Sequence, residues 1–526
     1  MKNNKGKTHR KWGSRFGVIM AVAGSAIGLG NFLRFPGQAV INGGGAFLIP
    51  YFISLFLLGI PLMWIEWTVG RYGGGFGHST APGVFHSIWE KNRFIKYFGL
   101  IGIFGPLVIF IYYCYIESWT LAYSFFSVTG KLSALKDQET MRSFLQGFQG
   151  IEKNSHFSSI AVAYIFFIIT FFVNMSVLYG GVKGGIERFC KIAMPILLVF
   201  AILMMIRVLS LGTPDPMKPE LNVLNGLGFL WNPNFSALKD AKVWISAAGQ
   251  IFFTLSVGIG TILTYASYLS KGDDVALSGL SAVSTNEFAE VILGGSIVIT
   301  ASFVFFGGAG AREIAEGGIF NLGFVTMPLV LNKLAFSQFF GFLWFFLLFL
   351  AGVTSSISIS EPAIAFMEDE FNLSRKKAVI FFGIGTFILC HLAVLFLKNG
   401  VVDELDFWGG TFCLVVFATV ETILFAWVFG IDKAWDEIHH GADMRIPRIY
   451  KFIIKYITPS FLFFILIFWL SQKSWNIIIM KDVASADKPF ILLTRLILSS
   501  MVIALAVMIN ISWRRKKSLD KNGGVV

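Results

Sequence analysis

Gly24-Ser25-Ala26-Ile27-Gly28-Leu29-Gly30-Asn31 interrupts an apolar stretch with three glycines, and Ser256-Val257-Gly258-Ile259-Gly260 interrupts a second stretch much later in the chain. Residues 16–33 and 243–270 contain no Asp, Glu, Lys or Arg, so each region is long enough to cross a hydrocarbon core of about 30 Å. Both breaks fall near the middle of such a crossing. Backbone at that depth has no water to bond, so an interrupted helix persists only where the freed N–H and C=O groups are buried in protein or line a cavity. A matched pair of interrupted crossings, one in each half of a membrane protein, points to a binding site at the bilayer midplane.

The rest of the chain fits a polytopic membrane protein. Its 526 residues are 55% hydrophobic and 14% charged, with 57 Phe and a mean hydropathy of +0.70, against roughly 25% charged residues in soluble domains. Charge-poor segments at 16–41, 45–74, 95–127, 158–179, 185–212, 241–269, 276–308, 335–368, 376–397, 407–428, 450–472 and 490–513 predict an all-α membrane protein of twelve transmembrane helices. Because the breaks fall in spans one and six, we expect a 5+5 inverted repeat, about 16–212 and about 241–428, with two extra helices over about 450–513. No linker divides the chain, which reads as one domain.

Basic residues give the orientation. Lys2, Lys5, Lys7, Arg10, Lys11 and Arg15 precede the first span without an acid, and Arg514, Arg515, Lys516, Lys517 and Lys521 follow the last. Both termini are therefore expected in the cytoplasm, with Asp403, Glu404 and Asp406 outside. The net charge of +12 is mostly this bias, so no nucleic-acid partner is expected. The basic start runs into a glycine-interrupted span containing Arg34, which does not resemble a cleavable leader. Cys114, Cys190, Cys390 and Cys413 sit singly in apolar segments, which argues against disulfides and zinc sites. Neither a nucleophile–base arrangement nor a metal cluster is seen, so no enzyme is expected. A channel would need a polar pore or filter repeats, and the sequence supplies neither.

Specific motifs sharpen the reading. Trp12-Gly-Ser-Arg15, Gly28-Leu-Gly-Asn-Phe-Leu-Arg-Phe-Pro36, Asn42-Gly-Gly-Gly-Ala-Phe47, Gly59-Ile-Pro-Leu-Met-Trp-Ile-Glu-Trp67 and Gly249-Gln-Ile-Phe-Phe-Thr-Leu-Ser256 resemble the neurotransmitter:sodium symporter family, most of all its bacterial leucine carriers, from about Trp12 to Trp513. Physically, a half-helix ending near Gly24 exposes carbonyls and a negative dipole end, while the helix restarting after Gly28 offers N–H groups and a positive end. A zwitterionic amino acid matches that arrangement.

The resemblance implies a sodium-coupled symporter of neutral, mainly aliphatic amino acids such as leucine, methionine or valine, working by alternating access in the cell's inner (plasma) membrane. It implies two Na⁺ and, at most, a second copy of the chain as protein partner. The substrate carboxylate would sit on the N–H groups of Leu29 and Gly30, and the ammonium on carbonyls of Ala26, Phe253 and Thr254 with the Ser256 hydroxyl. Ile109, Tyr113, Phe253, Ile259, Ser355 and Ile359 would surround the side chain, with Ser25 replacing an Asn and Ile259 an aromatic ring of the family pattern. One sodium would take Ala26, Asn31, Thr254, Asn286 and the substrate carboxylate; the other would take Gly24, Ile27, Ala351, Thr354 and Ser355. Glycine at position 28, where monoamine carriers have an acid, favours a substrate that brings its own carboxylate.

The same family pattern places gates on either side. Tyr113 and Phe253 would cover the substrate beneath an Arg34–Asp406 pair, and Trp12, Ser267, Tyr268 and Asp369 would close the inside. His9 stands where the family carries Arg, so the basic member of the inner gate falls to Arg10 or Lys11. Glu66 would brace the broken helices, and Glu117 and Glu421 would anchor the bundle interior. Glu290, with Tyr51, Gln250 and Thr254 around it, stands where chloride-dependent relatives carry Ser, which implies an internal anion in place of chloride. A non-transporting sodium-dependent amino-acid sensor would carry the same site, and flux separates the two.

Overall fold

The computed structural model describes residues 11–318, 320–471 and 475–521. Among the described residues there are helices, turns and no strand. The chain opens with α1 (Arg15–Ala26) and α2 (Gly30–Ile41), bent 46° to one another at the first glycine break. Then follow α3 (Gly45–Gly74), α4 (Ile95–Val128), α5 (Ala161–Tyr179) and α6 (Val182–Leu209). The second interrupted stretch forms α7 (Ala241–Leu255) and α8 (Thr261–Ala266). After these come α9 (Ala276–Glu316), α10 (Ser337–Phe371), α11 (Arg375–Leu395), α12 (Val401–Val428), α13 (Ile449–Phe468) and α14 (Lys488–Arg515).

Ten of these helices are individually long and apolar enough to cross a membrane, and the α1–α2 pair adds an eleventh crossing. The remaining expected span is α7 with α8, of 15 and 6 residues, too short singly because the chain unwinds between them. α9 outruns its expected end at 308, but Gly307 adopts a φ of 68° and kinks it there. Burial ranks the helices. The most apolar windows of α4 and α10 are each 89% buried, whereas that of α14 is 22% buried, so α4 and α10 form the centre against which the broken helices lie.

The first helix persists further than expected. It runs through Gly24 to Ala26, because the Ile27 N–H still donates to the Ala23 carbonyl at 2.7 Å. The glycine at 24 serves packing instead: a Cβ there would lie 3.1 Å from Thr354 Cβ and 3.2 Å from Met194 Sδ. Regular backbone is lost at Ile27, whose ψ of 92° turns the chain out of the helix.

The second break is sharper. Ser256, Gly258 and Gly260 have φ of 53°, 79° and 78°, a left-handed region that glycine tolerates at little steric cost. Space also demands glycine, since a Cβ on Gly258 would lie 2.7 Å from the Leu414 carbonyl oxygen and one on Gly260 would lie 2.6 Å from that of Gly102. The non-glycine member, Ser256, donates its hydroxyl to the Ser25 carbonyl at 2.9 Å and so ties the two breaks together. Glu66 of α3, fully buried, accepts from the Gly258 N–H and, at 3.3 Å, from the Leu263 N–H. It supplies partners to amides that the interruption would otherwise leave unsatisfied. Gly260→Ala is expected to lower stability by about 1–3 kcal/mol. A melt of the purified protein in detergent checks this; a wild-type transition would contradict the strained-turn account.

Candidate functional site

A cavity of about 50 Å³ lies between the two breaks. Ser25, Ala26, Gly28, Gly30 and Asn31 line it from the first break, and Phe253, Thr254, Ser256 and Ile259 from the second. Ile109 and Tyr113 of α4 and Ser355 and Ile359 of α10 complete the wall expected from sequence. Leu29 is the exception among the substrate candidates: its side chain packs in the core, and its N–H donates to the Tyr113 hydroxyl oxygen at 3.1 Å. Gly410 and Leu414 of α12 also line the cavity and were not anticipated. Gly410 lies one helical turn after Asp406, but no local pattern in the sequence marks it or Leu414 as a lining residue. Glycines shape the cavity directly. A Cβ on Gly28 would meet Ser355 Oγ at 2.7 Å and Tyr113 Oη at 2.9 Å, and one on Gly30 would meet the Phe253 ring at 2.5 Å.

The three side chains expected around one ion form a closed cluster. The Asn31 amide nitrogen donates to Asn286 Oδ1 at 2.8 Å and Thr254 Oγ1 at 3.1 Å, while Asn286 Nδ2 donates to the same Thr254 oxygen at 3.0 Å. Asn31 Oδ1 accepts from the Gly28 N–H at 2.9 Å, fixing the start of α2. Thr254 in turn donates to Glu290, which also accepts from Gln250 Nε2 at 2.9 Å and Tyr51 Oη at 3.0 Å. Glu290 is fully buried and thus bonded directly to a candidate ion ligand. Sequence reasoning missed Glu287, whose carboxylate shares the Tyr51 hydroxyl at 2.8 Å.

The second group of ion candidates converges where α1 crosses α10. Ser355 Oγ donates to the Gly24 and Ser25 carbonyls at 3.4 and 3.3 Å. Thr354 lies against Gly24, with its hydroxyl turned to the Leu350 and Ala351 carbonyls of its own helix, both at 3.1 Å. Ile27 is fully buried at the end of α1. Neutral oxygens from two helices are the donor chemistry that suits a hard monovalent cation.

The outer gate differs from expectation. Arg34 and Asp406 do not pair: the Arg34 guanidinium lies 4.2 Å from the centroid of the Phe253 ring, and Asp406 accepts from Tyr112 Oη at 2.6 Å. Each charge finds a partner on its own side, an aromatic face for the cation and a phenol for the acid.

On the inner side, Trp12 Nε1 donates to the Tyr265 carbonyl at 3.0 Å, and its ring meets the Tyr265 ring edge-on at 5.1 Å. Ser267 Oγ donates to the Thr264 carbonyl at 2.6 Å, and Tyr268 Oη to Glu361 at 2.7 Å. Asp369 accepts from the Ser79 N–H at 2.9 Å. His9 and Arg10 lie outside the described residues.

Several ties were not anticipated. Arg375 grips both oxygens of the buried Glu361 at 2.7 Å, Arg15 bridges Asp274 and Asp443, and Arg71 pairs with Glu437 at 3.0 Å. Glu187 of α6 accepts from the Gly13 N–H at 2.6 Å. Their partners lie 14 to 428 positions away in sequence, which leaves no local pattern to read. Of the two expected interior anchors, Glu117 accepts from Asn174 at 3.0 Å, whereas the Glu421 carboxyl oxygens have no hydrogen-bond partner among the described residues.

Residues 9–143 and 136–515 match the model of the sodium:neurotransmitter symporter family. An uncharacterised sodium-dependent transporter of Methanocaldococcus jannaschii is 31% identical over 86% of this chain and 88% of its own length. The sodium-dependent nutrient amino acid transporter 1 of Drosophila melanogaster is 26% identical over 87% of this chain and 77% of its own. Among solved structures, MhsT in complex with L-phenylalanine superposes with a TM-score of 0.75 at 29% identity, covering 87% of this chain and 99% of that one. The chain is a multi-pass membrane protein that belongs to the sodium:neurotransmitter symporter family, a family of sodium-dependent transporters and not of enzymes.

Proposed function

We propose that this protein is a sodium-coupled symporter of neutral, mainly aliphatic amino acids, working by alternating access in the plasma membrane with both termini in the cytoplasm. The observation that carries the reading is the cavity walled by the two helix breaks, with amide and hydroxyl clusters on two sides of it. Its side-chain end is apolar, formed by Ile109, Ile259, Ile359 and Leu414, which favours a neutral substrate. MhsT is solved with L-phenylalanine, a neutral amino acid, and the Drosophila relative is named for nutrient amino acids.

In this account the substrate carboxylate binds the start of α2 at Gly30 and completes the shell of an ion held by Ala26, Asn31, Thr254 and Asn286. The Leu29 N–H becomes available when the Tyr113 hydroxyl turns to the substrate. A second ion binds Gly24, Ile27, Ala351, Thr354 and Ser355 and pins α1 to α10. Arg34 over Phe253 forms the outer lid, and Asp406 joins it when that lid closes. Trp12, Ser267, Tyr268 and Asp369 hold the inside shut, with Arg10 or Lys11 as their basic partner, until the second ion leaves. The segments about 16–212 and about 241–428 move as two repeats around the fixed site. Two Na⁺ crossing 100 mV supply about 4.6 kcal/mol, enough for more than a thousandfold accumulation before the sodium gradient is counted.

Position 28 favours an amino acid over a monoamine, because glycine brings no acid of its own there and a Cβ would press on Ser355 Oγ at 2.7 Å and Tyr113 Oη at 2.9 Å. Glu290 supplies a carboxyl group next to Thr254 that takes the place of an added anion.

Sodium-driven uptake of a panel of labelled amino acids into proteoliposomes tests the proposal. Accumulation of neutral aliphatic members only with an inward Na⁺ gradient is expected, and Asn31→Ala and Thr354→Ala should each lower it about tenfold or more. Unchanged flux in both variants would contradict the ion assignments, and binding without flux would favour a sensor. Replacing external chloride with gluconate should leave uptake unchanged; a several-fold fall would refute the role given to Glu290.

A further inference from the structure

α10 carries polar residues on two separate stripes. Ala351, Thr354, Ser355 and Ser358 recur at the three- and four-residue spacing of one helix face, and this face meets α1 through Ser355 on Gly24 and Ser358 on Ser25 Oγ at 2.8 Å. Gly352 and Ser356 lie one turn apart on another face, directed at α4 and α5. There the Ser356 hydroxyl donates to Asn174 Oδ1. Asn174 Nδ2 donates to both carboxyl oxygens of Glu117, at 3.0 and 3.3 Å. Glu117, Asn174 and Ser356 are each 0% exposed. Gly352 makes the approach feasible, since a Cβ there would lie 2.6 Å from Glu117 Cγ.

We propose that the Glu117–Asn174–Ser356 chain is a positioning device for the second sodium site: by fixing the rotation of α10 it aims Thr354 and Ser355 at the end of α1. The inference rests on the reading that Thr354 and Ser355 ligate that ion. A ligand shell tolerates little rotation, because each oxygen must sit within a few tenths of an ångström of its distance to the metal. α10 also packs against α4 through apolar side chains, a contact that resists separation more than rotation. A hydrogen-bonded chain with one geometry adds a directional constraint on that side of the helix. Asn174 is the key member, since it accepts from Ser356 of α10 and donates to Glu117 of α4.

Sodium alone is the probe. Without amino acid the first ion lacks its carboxylate ligand, so equilibrium binding of radioactive Na⁺ to the purified full chain reports mainly the second site. Asn174→Ala is expected to raise the half-saturating sodium concentration about tenfold, and Ser356→Ala to raise it in the same direction. Glu117→Gln, whose amide oxygen still accepts from Asn174, should stay within about twofold of wild type. A purely structural cluster would lower the melting temperature of these variants and leave sodium affinity unchanged; that result overturns the proposal, as does a Glu117→Gln shift equal to that of Asn174→Ala. Where Asn174→Ala does not fold, Ser356→Ala decides. Thr354→Ala separates the two levels of the argument. If it also binds sodium normally, the ion assignment fails; if it loses sodium while Asn174→Ala and Ser356→Ala do not, the positioning role alone fails.

Discussion

Everything in this structure follows from the cost of leaving a peptide group unpaired inside a bilayer. Each unsatisfied N–H or C=O in hydrocarbon costs several kcal/mol, so two interrupted helices at mid-depth persist only if the surrounding protein satisfies them. The neighbours do so with side chains. Glu66 takes the amides of Gly258 and Leu263, Asn31 takes the amide of Gly28, Tyr113 takes that of Leu29, and Ser256 and Ser355 donate to carbonyls of the first break. The broken backbone is thus both the hardest part of the fold to stabilise and the part that offers groups for a ligand.

Those same groups explain the layering of the molecule around its centre. The two most buried helices, α4 and α10, provide the wall against which the breaks rest, while the buried acids sit one step further out. Glu290 reaches Thr254, Glu117 reaches Ser356 through Asn174, and Glu66 reaches Gly258. Interior carboxylates are expensive in a membrane and are retained where they organise something polar. Here each is linked by hydrogen bonds to the breaks or to a helix that faces them. Glu421, without a hydrogen-bond partner among the described residues, is the acid for which the structure offers no such link.

Much of this was legible from the chain because its informative residues are local. Glycine spacing gave both breaks, charge-free runs gave the spans, and the short motifs beside Trp12, Gly28 and Gly249 carried the family resemblance. The exact end of α1 was not legible, because Gly24 could equally end a helix or permit close packing, and contact with Thr354 and Met194 decides for packing. Pairings across the bundle were also invisible. Arg34 on Phe253 and Asp406 on Tyr112 replace the expected Arg34–Asp406 pair, a choice set by side-chain distances that sequence does not encode. Gly410 and Leu414 reach the cavity only through the packing of α12 against α4 and the second break.

The central claim is that unwound backbone holds a zwitterion whose carboxylate completes an adjacent sodium shell, which makes the two affinities reciprocal. The most direct measurement is equilibrium binding of a radiolabelled neutral amino acid to the purified protein, titrated with Na⁺ at constant ionic strength against K⁺. The account predicts binding that strengthens with sodium and falls away in potassium alone. Equal affinity in the two salts would contradict it.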